Sequence, residues 1–224
     1  MHLNSELLFK KYARVIFKPG IKILEIGPFD NPSAYKKIVN DISIEWHTLN
    51  LENKTLVEMG NKDSLTILTN DPYNYPIKDN TYDIVVSANV MEHVSDIFLW
   101  YKELKRIIKN DSYIITVMPL SWPYHEAPVD CWRIYPDGFR TIFNMTGLQE
   151  VECVFESLEF EHCYPGKDKN RLTFIPGKSI YWEKSKQQVN FQINWNLLVR
   201  KLPFFRRFVI PIEIAFDIIS IAKK

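Results

Sequence analysis

The sequence predicts an α/β protein built on a doubly wound parallel sheet. Three observations carry this. Short apolar runs rich in β-branched residues recur along the first half of the chain, at IKILEIG, ISIEWHTLNL, SLTILT, YDIVVSA and SYIITVMP. Stretches with helical spacing and helix caps lie between several of them, and that alternation implies βαβ units. Turn-forming Gly, Pro, Asn and Asp residues follow the runs, where such a sheet gathers its ligand-binding loops.

The N-terminal MHLNSELLFKKYARVIF has charges spread through it and no uninterrupted apolar core, so it reads as an amphipathic helix rather than a signal peptide. Asn4 or Ser5 suits its cap, and Pro19-Gly20 is a stop. IKILEIG is nearly all apolar, which suits a strand buried on both faces. Pro32-Ser33 opens a second helix to about Asn40, and ISIEWHTLNL follows as a second strand. SLTILT and YDIVVSA are the third and fourth strands, separated by the turn chemistry of TNDPYNYPIKDN. Ser95 or Asp96 caps a helix to about Lys109, in which Ile97, Trp100, Leu104 and Ile107 share one face. SYIITVMP is the fifth strand. Beyond Pro119 come an aromatic and charged segment, a helix ending near Gly147, and LQEVECVFESL as a further strand.

The 224 residues suit one domain with some elaboration. The net charge of +1 offers no general basic face for phosphates, so no nucleic acid is expected as a partner. Cys131, Cys153 and Cys163 are odd in number and lack CxxC spacing, which speaks against a disulfide framework or a zinc site and for a reducing cytoplasm.

In such a sheet the loops after Ile26, Leu49, Thr69, Ser87 and Met118 converge on one crevice. The first has one glycine, Gly27, where a dinucleotide turn has three. Pro28 removes an N–H donor, Phe29 adds bulk and Asp30 would repel a phosphate. A nucleoside cofactor without phosphates, carrying a sulfonium and an amino-acid end, makes no such demand. S-adenosyl-L-methionine is such a cofactor: Glu25 would help organise the loop near a cation, and Gly27 would let the backbone approach it.

LEIG at 24–27, DPYNYPIKDNTYDIVVSANVMEHV at 71–94 and SYIITVMP at 112–119, taken in order, resemble the class I S-adenosylmethionine-dependent methyltransferases of the small-molecule type 11 group. The resemblance spans roughly residues 15–155 and implies a Rossmann-like, seven-stranded sheet. It implies that Glu25, Gly27, Pro28 and Phe29 line the methionine end of the cofactor, that Asp71, Pro72 and Tyr73 border the adenine, and that Asn89 and His93 lie near the sulfonium. The second-strand acid that normally binds the ribose is replaced by Asn50, followed by Leu51 and then Glu52. Asp83 reads as a structural residue at a strand entrance. No metal is expected, because the Glu-x-x-Glu-His group associated with a divalent ion in the related quinone O-methyltransferases would need an acid where Asn89 stands.

On the acceptor side His125 is the candidate general base, since imidazole titrates near neutrality; its competing reading is a loop histidine bonded to Glu126 or Asp130. HEAPVDCWR, from His125 to Arg133, also resembles a segment of bacterial methyltransferases of surface-glycan and capsule (polysaccharide) biosynthesis. Tyr124, Arg133 and Tyr135 are the substrate candidates: an aromatic ring can pack a sugar face, and a guanidinium can fork onto a phosphate or carboxylate. The competing reading makes Asp130–Arg133 an ion pair that holds the loop down, with Trp132 in the core; the mixture favoured has that pair structural and His125 and Tyr124 facing the substrate.

The chain divides in this reading into a methyltransferase domain, 1–160, and an extension, 161–224, ending in an amphipathic helix. There Glu213, Asp217 and Ser220 form a polar stripe, and flanking Lys and Arg residues suit an interfacial helix at the inner face of a membrane. The competing reading packs that helix on the domain or across a homodimer. The function expected is methyl transfer to an oxygen or nitrogen of a small molecule or glycan intermediate. The alternatives are a non-catalytic scaffold of the same fold at a membrane and a nicotinamide-dependent oxidoreductase.

Overall fold

The computed structural model describes residues 3–28, 30, 32–52, 66–122, 124–125, 129–158, 186–202, 208 and 215–224. Seven strands among them form one sheet: β1 (Lys22–Ile26), β2 (Glu45–Leu51), β3 (Thr66–Thr69), β4 (Tyr82–Ala88), β5 (Ile108–Pro119), β6 (Gln149–Glu156) and β7 (Asp217–Lys223). Their order is β3-β2-β1-β4-β5-β7-β6. The first five are mutually parallel, and β7 runs antiparallel to both of its neighbours. The helices are α1 (Leu3–Leu8), α2 (Ala34–Val39), α3 (Ile97–Ile107), α4 (Pro136–Thr146) and α5 (Lys186–Arg200).

Alternation along each strand divides its side chains between two cores. Leu24, Ile26, Val85 and Ile114 face the side where Trp100, Tyr101, Leu104 and Ile107 of α3 and Phe139, Ile142 and Phe143 of α4 pack. Ile23, Ile84, Val86, Ile115 and Ile219 face the opposite side, against Leu8, Phe9, Phe17, Tyr35 and Val39. The predicted α3 face of Ile97, Trp100, Leu104 and Ile107 is the buried one. Asp96 caps that helix, accepting from the N–H groups of Phe98 and Leu99, and Gly147 ends α4 in the left-handed conformation. Ser33 caps α2 by accepting from the Lys36 N–H. Asp83 is structural, as expected: it accepts from the Lys22 N–H at the foot of β1 and pairs with Lys109. The first predicted helix is in three pieces, α1 followed by a π turn at Phe9–Ala13 and a 3-10 turn at Arg14–Ile16.

The tail corrects the sequence reading. Residues 209–214 lie outside the described residues, and Asp217–Lys223 form a strand, not a helix. Ser220 is opposite Thr116 of β5 on one side and Cys153 of β6 on the other. Ile218, Ile219 and Ile221 are at most 1% exposed, so they do not face a lipid surface. DIISIA is a β-branched run buried on both faces, the same pattern that marks β1, and in a strand the helical spacing of Glu213, Asp217 and Ser220 has no meaning. The extension therefore rejoins the domain, because β7 completes the sheet that the first 156 residues begin. Among the described residues no helix is long and apolar enough to cross a membrane.

Candidate active site

The strand order reverses between β1 and β4, and the loops leaving their carboxyl ends flank the crevice that such a reversal opens. Gly27 sits there with φ of 66°, and its N–H donates to the Leu49 carbonyl of β2 at 2.8 Å. A Cβ at this position would stand 2.6 Å from Val90 Cγ2, so the turn after β1 lies directly on the turn after β4. Glycine is needed here for both reasons, the positive φ and the close approach.

Of the residues expected to hold a cofactor, Glu25 is 3% exposed, and its Oε2 accepts from Ser33 Oγ at 2.6 Å and Trp46 Nε1 at 2.8 Å. Burial pushes its carboxyl up to about 7, against the pull of those two hydrogen bonds and of Lys36. Pro28 is buried beside Gly27, and Phe29 lies outside the described residues. Asn50 is 7% exposed at the end of β2, while Leu51 is 39% exposed. Glu52 accepts from Asn70 Nδ2. Asp71, Pro72 and Tyr73 form a turn at the end of β3, in which Asp71 Oδ1 accepts from the Tyr73 N–H at 2.8 Å. The Tyr73 hydroxyl accepts from the Asp96 N–H at 2.9 Å, tying this turn to the start of α3.

Asn89 takes a left-handed φ of 55° directly after β4, and its N–H donates to the Val117 carbonyl. Met91–His93 follows as a 3-10 turn. Glu92 is 1% exposed, and burial raises its carboxyl to about 8. His93 Nδ1 donates to the Val129 carbonyl at 2.5 Å, and burial holds its imidazole below the ordinary value.

The segment after β5 is stitched onto this turn. The Cys131 N–H donates to the Glu92 carbonyl at 2.7 Å, and Trp132 Nε1 donates to the Val94 carbonyl at 2.7 Å. The His125 and His93 rings meet edge to face at 4.9 Å, and the Trp122 ring also meets His125 edge to face, at 6.3 Å. The His125 N–H donates to Asp130 Oδ2 at 2.9 Å, with its Nδ1 3.4 Å from the same oxygen. Arg133 forks onto Asp130, so the structural reading of that pair holds and the guanidinium is engaged within the loop. Tyr124 is 73% exposed beside His125, whereas Tyr135 packs on Phe155 of β6 at 5.7 Å. The crevice thus gathers Gly27, Pro28, Asn89, His93 and His125, and it leaves Tyr135 to one side.

Several buried carboxyl groups surround Tyr35. Tyr35 is held well above its ordinary value first by burial and then by Glu25, Asp217, Glu6 and Glu92. Asp217, fully buried at the start of β7, accepts from Ser5 Oγ at 3.0 Å. Since β7 is antiparallel, this carboxylate falls at the same edge of the sheet as the crevice, opposite Pro119 and Glu156.

Residues 34–116 match the family model described as "Methyltransferase domain". The fold is that of a class I methyltransferase. An S-adenosylmethionine-dependent methyltransferase from Archaeoglobus fulgidus is similar at 17% identity over 98% of this chain and 94% of that chain, with a TM-score of 0.57. One from Aquifex aeolicus is similar at 13% identity over 97% and 89%, with a TM-score of 0.51. Phosphoethanolamine N-methyltransferase 2 from Haemonchus contortus, in complex with S-adenosylmethionine, is similar at 14% identity over 99% of this chain and 52% of that chain, with a TM-score of 0.54. No curated protein matches the chain in sequence. The methyltransferase model thus matches a central part of the chain, and the whole chain shares its fold with S-adenosylmethionine-dependent methyltransferases.

Within this site several participants were missed from sequence. Ser33 and Trp46 hold Glu25, and Asp217 enters from the far end of the chain. The first two had a signal, since Ser33 was already a helix cap and Trp46 is an indole on the neighbouring strand, opposite Ile23 and two register positions from Glu25. Asp217 had none beyond the β-branched run that follows it.

Proposed function

We propose that this methyltransferase moves the sulfonium methyl group of S-adenosylmethionine onto an oxygen or nitrogen of a small molecule, with a glycan or capsule intermediate as the acceptor class. The observation that carries the reading is the meeting of the two loops: the Gly27 turn lies on Val90, and three residues further on His93 faces His125. A phosphate-free turn and a titratable pair thereby adjoin. The sulfonium already activates the methyl group, so in-line displacement needs chiefly that donor and acceptor be held in reach. A hydroxyl acceptor also has a proton to lose, and His125, 34% exposed and oriented by Asp130, is the group assigned to take it.

The glycan class is supported by the resemblance of HEAPVDCWR and by the aromatic surroundings of His125, Trp122 and Tyr124. Arg133 and Tyr135, tied to Asp130 and Phe155, give it less support than the sequence promised. Against a nicotinamide cofactor stand the single glycine and Pro28.

Calorimetry with S-adenosylmethionine, S-adenosylhomocysteine and NADH tests the cofactor; micromolar binding of the first two and none of the third is expected. Absence of S-adenosylmethionine binding would overturn the reading. Nucleotide- and lipid-linked sugars incubated with methyl-labelled cofactor and examined by mass spectrometry test the acceptor. His125→Ala should lower turnover by about 10²–10⁴-fold and leave cofactor affinity unchanged. Unaltered turnover would remove His125 from the role of base.

A further inference from the structure

We propose that Glu92, His93 and His125 form a binding site for one divalent transition-metal ion of the zinc class on the acceptor side of the crevice. Any use of the ion in methyl transfer rests on the function proposed above; its binding does not.

One donor atom from each of the three residues lies within 4.8 Å of the others. Glu92 is 1% exposed, and neither of its carboxylate oxygens has a hydrogen-bond partner among the described residues. A buried carboxylate without partners is costly, and a cation relieves it. His93 Nε2 stands 3.8 Å from Glu92 Oε1. Because His93 Nδ1 donates to the Val129 carbonyl, the ring has its lone pair on Nε2, the nitrogen that faces Glu92. His125 is oriented similarly, with Nδ1 toward the Asp130 carboxylate, which Arg133 fixes in turn. A histidine whose far nitrogen rests on a carbonyl or carboxylate is the arrangement that orients imidazoles on metals.

Two imidazoles and one carboxylate suit zinc or its neighbours better than magnesium or calcium, and they leave a fourth position for water or an acceptor oxygen. Bonds of about 2.0–2.2 Å bring donors closer together than they stand here, by a side-chain movement on the order of 1 Å. His125, on a partly exposed loop, can make it. The sequence reading looked for the missing donor at Asn89, on the same turn as Glu92; the fold supplies it from the loop after β5. His125 uses one lone pair either for the ion or for the acceptor's proton, so the metal-loaded and metal-free proteins differ in what serves as base.

The full chain, purified without a polyhistidine tag and stripped with EDTA, is titrated with zinc chloride by calorimetry, and with cobalt(II) followed by visible absorption. One equivalent of zinc at micromolar or tighter affinity, and the absorption of a low-coordinate cobalt site, are expected. Glu92→Gln, His93→Ala and His125→Ala should each weaken zinc by more than about 100-fold. Cys131→Ser, which removes the exposed thiol nearby, should change nothing. Binding of S-adenosylhomocysteine reports that each variant is folded, and if Glu92→Gln fails that check, His125→Ala decides. Substoichiometric zinc, or an affinity unmoved by the substitutions in folded protein, would overturn the site. Loss of cofactor binding with zinc retained would instead count against the function proposed above.

Discussion

Arg133 donates through both terminal nitrogens to the two oxygens of Asp130, at 2.5 and 2.8 Å. Burial alone would raise the Asp130 carboxyl, but this fork and the His125 N–H hold it below the usual carboxylate range. The pair is what keeps the His125 loop folded against the Glu92–Val94 turn. Asp130→Ala should cost about 1–3 kcal/mol, between the value of an exposed ion pair and that of a fully buried one, since the Asp130 side chain is buried and that of Arg133 partly exposed. Urea denaturation measures the loss, and faster hydrogen exchange at the Cys131 amide would locate it. Cofactor affinity should change little.

Gly27→Ala brings a methyl group to 2.6 Å from Val90 Cγ2 and strains a backbone at φ of 66°. A loss of about 1–3 kcal/mol is expected, together with weaker cofactor binding. Adding Val90→Ala should recover the part due to contact and not the part due to φ. Full recovery in the double variant, read by calorimetry and denaturation, would show that the conformation matters little.

Glu25 makes stability depend on pH. Its carboxyl ionises near 4.5 when exposed and near 7 in the fold. The unfolded chain therefore releases its proton first as pH rises. The stabilisation is complete below about pH 4.5 and is lost as pH climbs through 7, by at most about 3 kcal/mol. Glu25→Gln keeps an oxygen for Ser33 and Trp46 but removes the titration. The variant should flatten the melting-temperature profile between pH 5 and 8, and an unchanged slope would contradict the assignment.

Ile219 packs with no exposure in the centre of β7. Ile219→Ala should destabilise the whole domain by about 2–5 kcal/mol in a single denaturation transition. Were residues 217–223 a peripheral appendage, the substitution would leave the main transition where it is.

Much of the fold was legible because it is local. β1, β4 and β5 declare themselves by apolar β-branched runs, and α3 and α4 by caps and a 3.6-residue period. β7 carried the same run, but the chance spacing of Glu213, Asp217 and Ser220 imitated a helix, and nothing local records that β5 and β6 wait on either side. α5 was not foreseen, for Phe191 and Trp195 stack on one another with no clean apolar stripe around them. In the site, residue types could be read one at a time: Gly27, the Glu92-His93 pair, Asp130 with Arg133. The approach of His125 to His93 could not, because it depends on how the loop after β5 folds back, which the Val129 carbonyl and Trp132 Nε1 determine in three dimensions.

The place of β7 has a consequence for synthesis on the ribosome. β6 pairs with β7 and with no other described strand, so it has no ladder to join until residues 217–223 have been made. At about 5–20 residues per second, the intervening stretch takes on the order of 3–12 s to translate. Through that interval the edge of β5 is open as well, with the apolar Ile115 and Val117 beside it. A nascent chain stalled between β6 and β7 would be a natural client for a chaperone that caps strand edges.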